Sequence, residues 1–191
     1  MSPAGDRAAP RTLAGATILQ IVPAMRDDPA GHAAVDIALA LLQSGARAIV
    51  AGQGGPLVGE LRAFGGEWVP MDNDTANPLT LRRNSRALEH MIVEERIDIV
   101  HAQSAGAAWS VLATTGRMPV WVVTSFPDRL AADTWFGTKF RRSLARGDRV
   151  IAPSSFVSLA MIERYNIARE KITVIPRSID TAVFSPAAVR A

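Results

Sequence analysis

Polar side chains follow two of the predicted strands at the point where each strand ends. His101 closes one apolar run, and Gln103 and Ser104 come directly after it. Ser125 and Asp128 follow the next apolar run along the chain. In an open parallel sheet, ligands bind beyond the carboxyl ends of the strands. We therefore expect these side chains to face one crevice, where they could form hydrogen bonds to a ligand.

The imidazole of His101 allows two interpretations. A histidine at the end of a buried strand could hold a ligand hydroxyl or phosphate, or take part in proton transfer. It fits equally well as a histidine at the edge of the core that bonds a backbone carbonyl. Ser104 is expected to cap the following helix in either case.

The loop after the first predicted strand, Met25–His32, is a second candidate, and it contains Asp28, Gly31 and His32. A phosphate cradle at this position uses glycine N–H groups at a helix N-terminus. Here two carboxylates repel anions, a proline removes one donor, and no G-x-G-x-x-G pattern occurs. The loop therefore argues against a dinucleotide site. The glycine cluster Gly52–Gly55 predicts a simple turn, with an anion nest as the alternative.

No group of residues predicts a catalytic constellation or a metal site. His32, His90 and His101 fall on separate elements without paired metal-ligand spacing. Asp72 and Asp74 are expected to be solvated loop residues rather than an acid/base pair. No G-x-S-x-G elbow is present either. We accordingly predict no metal and no cofactor.

Basic residues cluster on two predicted helices. The net charge is +3, and arginine supplies most of the positive charge. These clusters predict either solvated helix faces or contact with an anionic acceptor or the inner face of a membrane. We predict no nucleic-acid partner. The residues concerned are Arg82, Arg83, Arg86, Lys139, Arg141 and Arg142.

Composition indicates one globular domain. The 191 residues are 48% hydrophobic and 20% charged, which is typical of a folded protein of ordinary composition. No cysteine occurs, so disulfides and thiolate metal sites are excluded, and a cytoplasmic location is expected. Apolar stretches are too short for a membrane span. We expect loose tails at 1–15 and 187–191 around one domain at 16–186.

Strands alternate with helices along the whole chain, which predicts a three-layer α/β domain with a doubly wound, Rossmann-like parallel sheet. About seven strands are expected. The predicted strands are Ala16–Val22, Ala46–Ala51, Glu67–Pro70, Ile97–His101, Pro119–Thr124, Arg149–Ala152 and a run from Ile172. The predicted helices are Ala33–Gln43, Leu57–Phe64, one capped by Asn77, Ala105–Thr115, Trp135–Leu144, and one from Ser154 or Ser155 to Tyr165. The inner face of the helix capped by Asn77 is expected to consist of Leu79, Leu81, Leu88, Met91 and Ile92.

The order of these motifs resembles the N-terminal domain of GT-B glycosyltransferases of family 4, from Ala16 to Pro186. Each motif alone is weak, and the resemblance rests on their order and spacing. The motifs are Ile18–Ala24, Val35–Leu41, Asp98–Ser104, Pro153–Phe156, Glu170–Asp180 and Phe184–Pro186.

The resemblance implies the acceptor-binding half of a retaining transferase. In this family a first Rossmann-like domain binds the acceptor, a second binds the nucleotide sugar, and no metal is generally needed. The second domain is absent from this sequence, so we expect the chain not to be catalytic alone. The resemblance places a sugar or lipid-linked acceptor against Asp28, Gly31, His32, His101, Gln103, Ser104, Ser125 and Asp128.

The sequence departs from the family at the expected site. Asp28–Pro29 stands where relatives carry a glycine pair, Pro127 stands where they commonly carry histidine, and Ser178 replaces a glycine. Two alternatives therefore stay open. The chain could be a non-catalytic binding or scaffold domain that partners a separate donor domain, or an unrelated nucleotide-binding α/β protein.

Overall fold

A seven-stranded parallel sheet forms the centre of the protein, with strand order β3-β2-β1-β4-β5-β6-β7. The computed structural model describes residues 12–73, 75–115, 118–127 and 140–176. Continuous apolar runs form the central strands because helices cover both faces of such a sheet. The strands are β1 (Thr17–Ala24), β2 (Arg47–Gln53), β3 (Glu67–Pro70), β4 (Ile99–Ala102), β5 (Trp121–Ser125), β6 (Arg149–Ala152) and β7 (Ile172–Val174).

Helices follow most of the strands and pack on both faces of the sheet. Alternate β2 residues belong to two separate apolar clusters, since successive side chains point to opposite faces. The larger cluster packs α3, α4 and α5, and the smaller packs α1 and α2. The helices are α1 (Pro29–Gln43), α2 (Leu57–Ala63), α3 (Pro78–Glu94), α4 (Ala105–Thr115) and α5 (Ser155–Tyr165). The predicted Rossmann-like α/β class is therefore confirmed.

Helix caps set most of the element boundaries. Asn77 and Ser154 cap α3 and α5 through their side-chain oxygens, as predicted. The start predicted for α1 at Ala33 is wrong, because α1 begins four residues earlier at Pro29, directly after the N-cap Asp28. Proline suits the first helical turn, since its missing N–H would be unpaired there in any case.

Three other predictions end at the limits of the described residues. Only the last part of the predicted helix Trp135–Leu144 is described, and Leu144 there belongs to a short 3-10 turn, Leu144–Arg146. The chain after β7 is described only to Pro176. Most of the predicted tails, 1–15 and 187–191, also lies outside the described residues. Among the described helices, none is long and apolar enough to cross a membrane.

The buried face of α3 differs from its prediction at one position. Leu81, Leu88 and Ile92 are buried, and they lie three to four residues apart on one helical face. Leu79 was expected on this inner face, but 79% of its surface is exposed. Leu79 lies two residues before Leu81, about 200° around the helix from it, and therefore faces away from the buried side.

This contrast predicts opposite outcomes for two identical substitutions on α3. Leu88→Ala removes a side chain with no exposed surface and should lower the free energy of unfolding by about 2–5 kcal/mol. Leu79→Ala should change it by less than about 0.5 kcal/mol. Chemical denaturation of both variants measures the difference. Equal losses in the two variants would show that the Leu79 side chain is buried.

Candidate functional site

His101 and Ser125 meet at the carboxyl ends of the neighbouring strands β4 and β5. His101 Nε2 lies 2.6 Å from Ser125 Oγ. Only 7% of the His101 surface is exposed, whereas Ser125 is half-exposed. Burial lowers the pKa of His101 to about 4, so the imidazole is neutral at neutral pH. The neutral ring forms a hydrogen bond that holds the serine hydroxyl in place. The partner of His101 is therefore a side chain, not the backbone carbonyl that was expected for a histidine at the edge of the core.

A buried glutamine extends this polar group across the sheet. Gln20 on β1 pairs in register with His101 on β4 and has no exposed surface. Gln103 donates an Nε2 hydrogen to Gln20 Oε1 at 2.9 Å, and Gln20 Nε2 donates to the Ala34 carbonyl at 3.1 Å. Gln20 therefore orients the half-exposed amide of Gln103. We define Gln20, His101, Gln103 and Ser125 as the polar row.

Sequence reasoning missed Gln20, although a signal was present. Gln20 is the single polar residue in the apolar run Ile18–Val22. A polar side chain in a strand buried on both faces needs internal hydrogen-bond partners. Such a residue therefore points to a buried polar network, and here the network ends at the predicted site.

Ser104 lies beside the polar row and has a structural role. Its Oγ accepts a hydrogen bond from Ala107 N at 3.1 Å, which confirms the predicted helix cap. The same hydroxyl donates to the Asn73 carbonyl at 3.3 Å. Asn73 is fully buried and bridges the ends of two strands, donating to the carbonyls of Val22 and Ala51. Sequence reasoning did not single out Asn73, and its only signal was its place in a loop after a strand.

The residues predicted in the loop after β1 are not joined to the polar row by any described hydrogen bond. Asp28 Oδ1 accepts hydrogen bonds from the N–H groups of Ala30 and Gly31 at 3.0 and 2.8 Å. These donors are the ones that a phosphate at the start of α1 would need. A Cβ on Gly31 would lie 2.1 Å from the Arg26 carbonyl oxygen, so close backbone packing requires the glycine.

His32 stands at the surface and interacts with its own loop. Its Nε2 lies 2.7 Å from Asp27 Oδ1. The contact with this carboxylate raises the pKa of His32 above its ordinary value. Asp128, the last predicted site residue, lies outside the described residues, as does Asp74.

The glycine cluster Gly52–Gly55 and the carboxylate of Asp72 lie outside the polar row. Gly55 packs so tightly that a Cβ would lie 2.0 Å from the Met25 carbonyl oxygen, a backbone contact that requires glycine. Asp72 lies in the loop after β3, is half-buried, and accepts a hydrogen bond from Gln53 Nε2 at 3.0 Å. No group of three or more potential metal ligands occurs in the described part of the chain.

The basic residues are described in part. Arg82, Arg83 and Arg86 are exposed on α3. Arg142 is exposed and Arg141 half-buried, while Lys139 falls outside the described residues. Contact of these residues with a membrane or an anionic acceptor stays a prediction.

Comparison with known proteins identifies the class to which this fold belongs. The model of glycosyltransferase family 4 matches residues 30–183. The chain therefore belongs to glycosyltransferase family 4, and its Rossmann-like domain is of the kind found in GT-B glycosyltransferases. No curated protein matches this chain.

Solved structures match almost all of this chain, which spans about half the length of each of the three that follow. A glycosyltransferase from Rickettsia africae is 29% identical with a TM-score of 0.75, over 91% of this chain and 46% of that one. Anabaena Alr3699/HepE in complex with UDP and glucose is 16% identical with a TM-score of 0.69, over 90% and 47%. The lipopolysaccharide outer core galactosyltransferase WaaB is 11% identical with a TM-score of 0.61, over 86% and 46%. The last two matches show the fold alone.

The neutral state of His101 predicts a pH dependence of stability. The pKa is about 4 in the folded protein, against an ordinary value of 6.5. Between these values the unfolded chain binds more protons, so lowering the pH destabilises the fold. We expect this one group to lower the free energy of unfolding by about 1.4 kcal/mol per pH unit over that window. Above pH 6.5 its contribution should be constant.

Denaturation of the wild type and of His101→Asn from pH 4 to 7 tests this expectation. In the variant, the part of the pH dependence of the free energy of unfolding that is due to His101 should be absent, whatever the absolute stability of the variant. His90→Asn is the matched control, since His90 is exposed on α3, and it should keep the wild-type slope. The same slope in His101→Asn and in the wild type would contradict a neutral, buried imidazole.

Proposed function

We propose that this chain is the acceptor-binding half of a retaining, nucleotide-sugar-dependent glycosyltransferase of polysaccharide or glycolipid synthesis. The observation that carries the proposal is the polar row, which lies at the carboxyl edge of the sheet in a family 4 domain. Parallel sheets bind ligands at this edge. The half-exposed Ser125 hydroxyl and Gln103 amide can each donate and accept hydrogen bonds, as recognition of a sugar hydroxyl requires.

Each member of the polar row has a distinct part in this proposal. Ser125 and Gln103 contact the acceptor, while the buried His101 and Gln20 position them. In the transfer, the acceptor hydroxyl oxygen forms the bond to the anomeric carbon, and the bond from that carbon to the nucleotide diphosphate breaks. The departing diphosphate oxygen takes the hydroxyl proton. A neutral His101 already in contact with Ser125 serves orientation rather than charge stabilisation.

Donor binding is assigned to a partner half, on the same or another polypeptide. This chain covers 46% of the length of the Rickettsia africae glycosyltransferase. Anabaena Alr3699/HepE, of which it covers 47%, was solved with UDP and glucose. The side chain of Asp28 also occupies the helix N–H groups that could otherwise meet a phosphate. We therefore propose that nucleotide sugar binds only together with the partner half.

A second candidate function is a non-catalytic binding domain that partners a donor domain. The observation that favours it is the chemistry of the polar row, which contains no carboxylate and whose only imidazole is buried and neutral. Such a row can hold a ligand without offering it a charged acid or base.

We expect the chain by itself not to transfer sugar. With a panel of UDP-, GDP- and ADP-sugars and simple glycoside acceptors, product formation should not exceed the enzyme-free background. Calorimetric titration with UDP should give no saturable binding. Sustained turnover by this chain alone would overturn the half-domain proposal, and tight UDP binding would favour an independent nucleotide-binding protein.

In a complex with a donor half, analysis of the anomeric configuration of the product by NMR should show retention. Inversion would refute the proposal that the transferase is of the retaining type.

The exposed arginines of α3 suit an acceptor carried on a membrane lipid, and we propose that the domain works in the cytoplasm at the inner membrane face. Each arginine near an anionic surface contributes about 1 kcal/mol. Arg82→Ala with Arg86→Ala should therefore weaken binding to phosphatidylserine vesicles roughly 30-fold. Arg169→Ala is the control, since Arg169 is exposed near β7, away from α3. Equal vesicle binding by the double variant and the wild type in co-sedimentation would exclude this surface.

A further inference from the structure

An open groove lies at the carboxyl ends of the edge strands β2 and β3, beside α3. Its volume is about 510 Å³, within the range of ~300–1,000 Å³ that is usual for small-molecule sites. We call it the β3–α3 groove and define it by Gln53, Gly54, Trp68, Asp72, Arg83 and Asn84. None of these residues belongs to the polar row.

One side of the groove is apolar. Trp68, Pro70 and Met71 line it. Gly54 leaves the edge of the Trp68 ring uncovered, since a Cβ there would lie 3.5 Å from Cζ2. The indole Nε1 is buried and has no hydrogen-bond acceptor in the described part of the chain. A buried donor without an acceptor is destabilising.

The other side carries polar groups held in fixed positions. Gln53 Nε2 donates to Asp72 Oδ1 at 3.0 Å, and Asn84 Nδ2 donates to the Asp72 carbonyl at 2.6 Å. These two bonds fix the carboxylate of Asp72 just beyond the carboxyl end of β3. The exposed guanidinium of Arg83 has no hydrogen-bond or ion-pair partner among the described residues. The groove thus offers an acceptor and a free set of donors beside an apolar wall.

This combination selects the chemical class of the ligand. The residues that line the groove include one arginine and one carboxylate, so their net charge is zero and it does not favour an anion. Two further arginines nearby are engaged: Arg26 donates to Gln53 Oε1 at 3.3 Å, and Arg62 lies over the Trp68 ring. Neighbouring hydroxyls of a sugar can donate to the carboxylate and accept from the guanidinium, while the C–H groups of the ring pack against Trp68 and Pro70. A neutral, polyhydroxylated ring satisfies both sides of the groove.

We propose that the β3–α3 groove binds a neutral saccharide unit, and that Arg83, Asp72 and Trp68 determine its affinity. Three strand spacings separate β3 from β4 in the sheet, a distance of about 14 Å. This separation places the groove beyond the reacting hydroxyl at the polar row. Resting on the proposed function, the groove would hold an outer sugar of an oligosaccharide acceptor.

Binding by the intact chain tests the groove directly. The probes are the methyl glycosides of glucose, galactose, mannose and N-acetylglucosamine, and the disaccharides maltose and lactose. Titrations are followed by the indole N–H resonance of Trp68 in nitrogen-15 NMR spectra, assigned with Trp68→Phe. We expect at least one probe to shift this resonance saturably. If none of the probes shifts it, the proposal is overturned.

Variants on one helix separate the groove from the general basic surface. Arg83→Ala should weaken binding of the responding probe about tenfold or more, because it removes a charged hydrogen-bond donor. Arg82→Ala, the adjacent exposed arginine outside the groove, should leave the affinity unchanged. Equal losses in both variants would point to a non-specific charge effect and refute the site.

Asp72→Asn distinguishes a sugar from an anion. It keeps an oxygen for the bond from Gln53 but removes the negative charge, so saccharide affinity should fall. Inorganic phosphate should bind neither the wild type nor this variant at the groove. Phosphate binding that strengthens in Asp72→Asn would reassign the groove to an anionic ligand.

The proposal for the groove and the proposal for the polar row can be tested separately. Ser125→Ala should leave the Trp68 response to the saccharide unchanged, because Ser125 lies on β5, outside the groove. In a transfer assay with a donor half and an oligosaccharide acceptor, Arg83→Ala should raise the KM with kcat preserved. If the saccharide binds at the groove but the assay with the donor half shows no transfer, the proposed function is refuted and the proposed saccharide site still stands. If transfer occurs and Arg83→Ala leaves its KM unchanged, the groove does not take part in acceptor recognition.

Discussion

All seven strands run parallel, and this constraint gathers their carboxyl ends at one edge of the sheet. Parallel strands need crossover helices, which cover both faces of the sheet and leave its edges for ligands. The polar row and the β3–α3 groove both lie at this edge. Residues as far apart in sequence as Gln20 and Gln103 become hydrogen-bond partners there, because their strands lie side by side.

Hydrogen-bond satisfaction then decides which polar residues the sheet can bury. Gln20 has no exposed surface, so its amide needs internal partners, and Ala34 and Gln103 provide them. His101 is buried beside it and is held neutral by the loss of solvation. The buried pair fixes the orientation of the half-exposed Ser125 and Gln103 through hydrogen bonds, and in the function we propose these two side chains contact the acceptor. A site built in this way favours neutral hydroxyls over charged groups.

The start of α1 shows how a local interaction excludes one function while it stabilises the fold. Asp28 caps the helix and satisfies two N–H groups, an interaction that is typically worth ~1 kcal/mol. The same carboxylate removes a phosphate cradle from the place where many Rossmann-like domains have one. In the function we propose, sugar recognition relies on side chains along the sheet edge rather than on backbone donors at a helix terminus.

The order of strands and helices, and the caps Asn77 and Ser154, follow from the sequence alone, because apolar runs and capping side chains act over a few residues. His101, Gln103, Ser104 and Ser125 could be nominated in the same way, since each follows a recognisable strand. The sequence also contained the order of motifs that identifies family 4. It did not reveal the bond between His101 and Ser125, the place of Gln20 in the polar row, the exposure of Leu79 or the groove beside Trp68. Those features depend on strand order, register and packing between distant segments, and only the tertiary structure decides them.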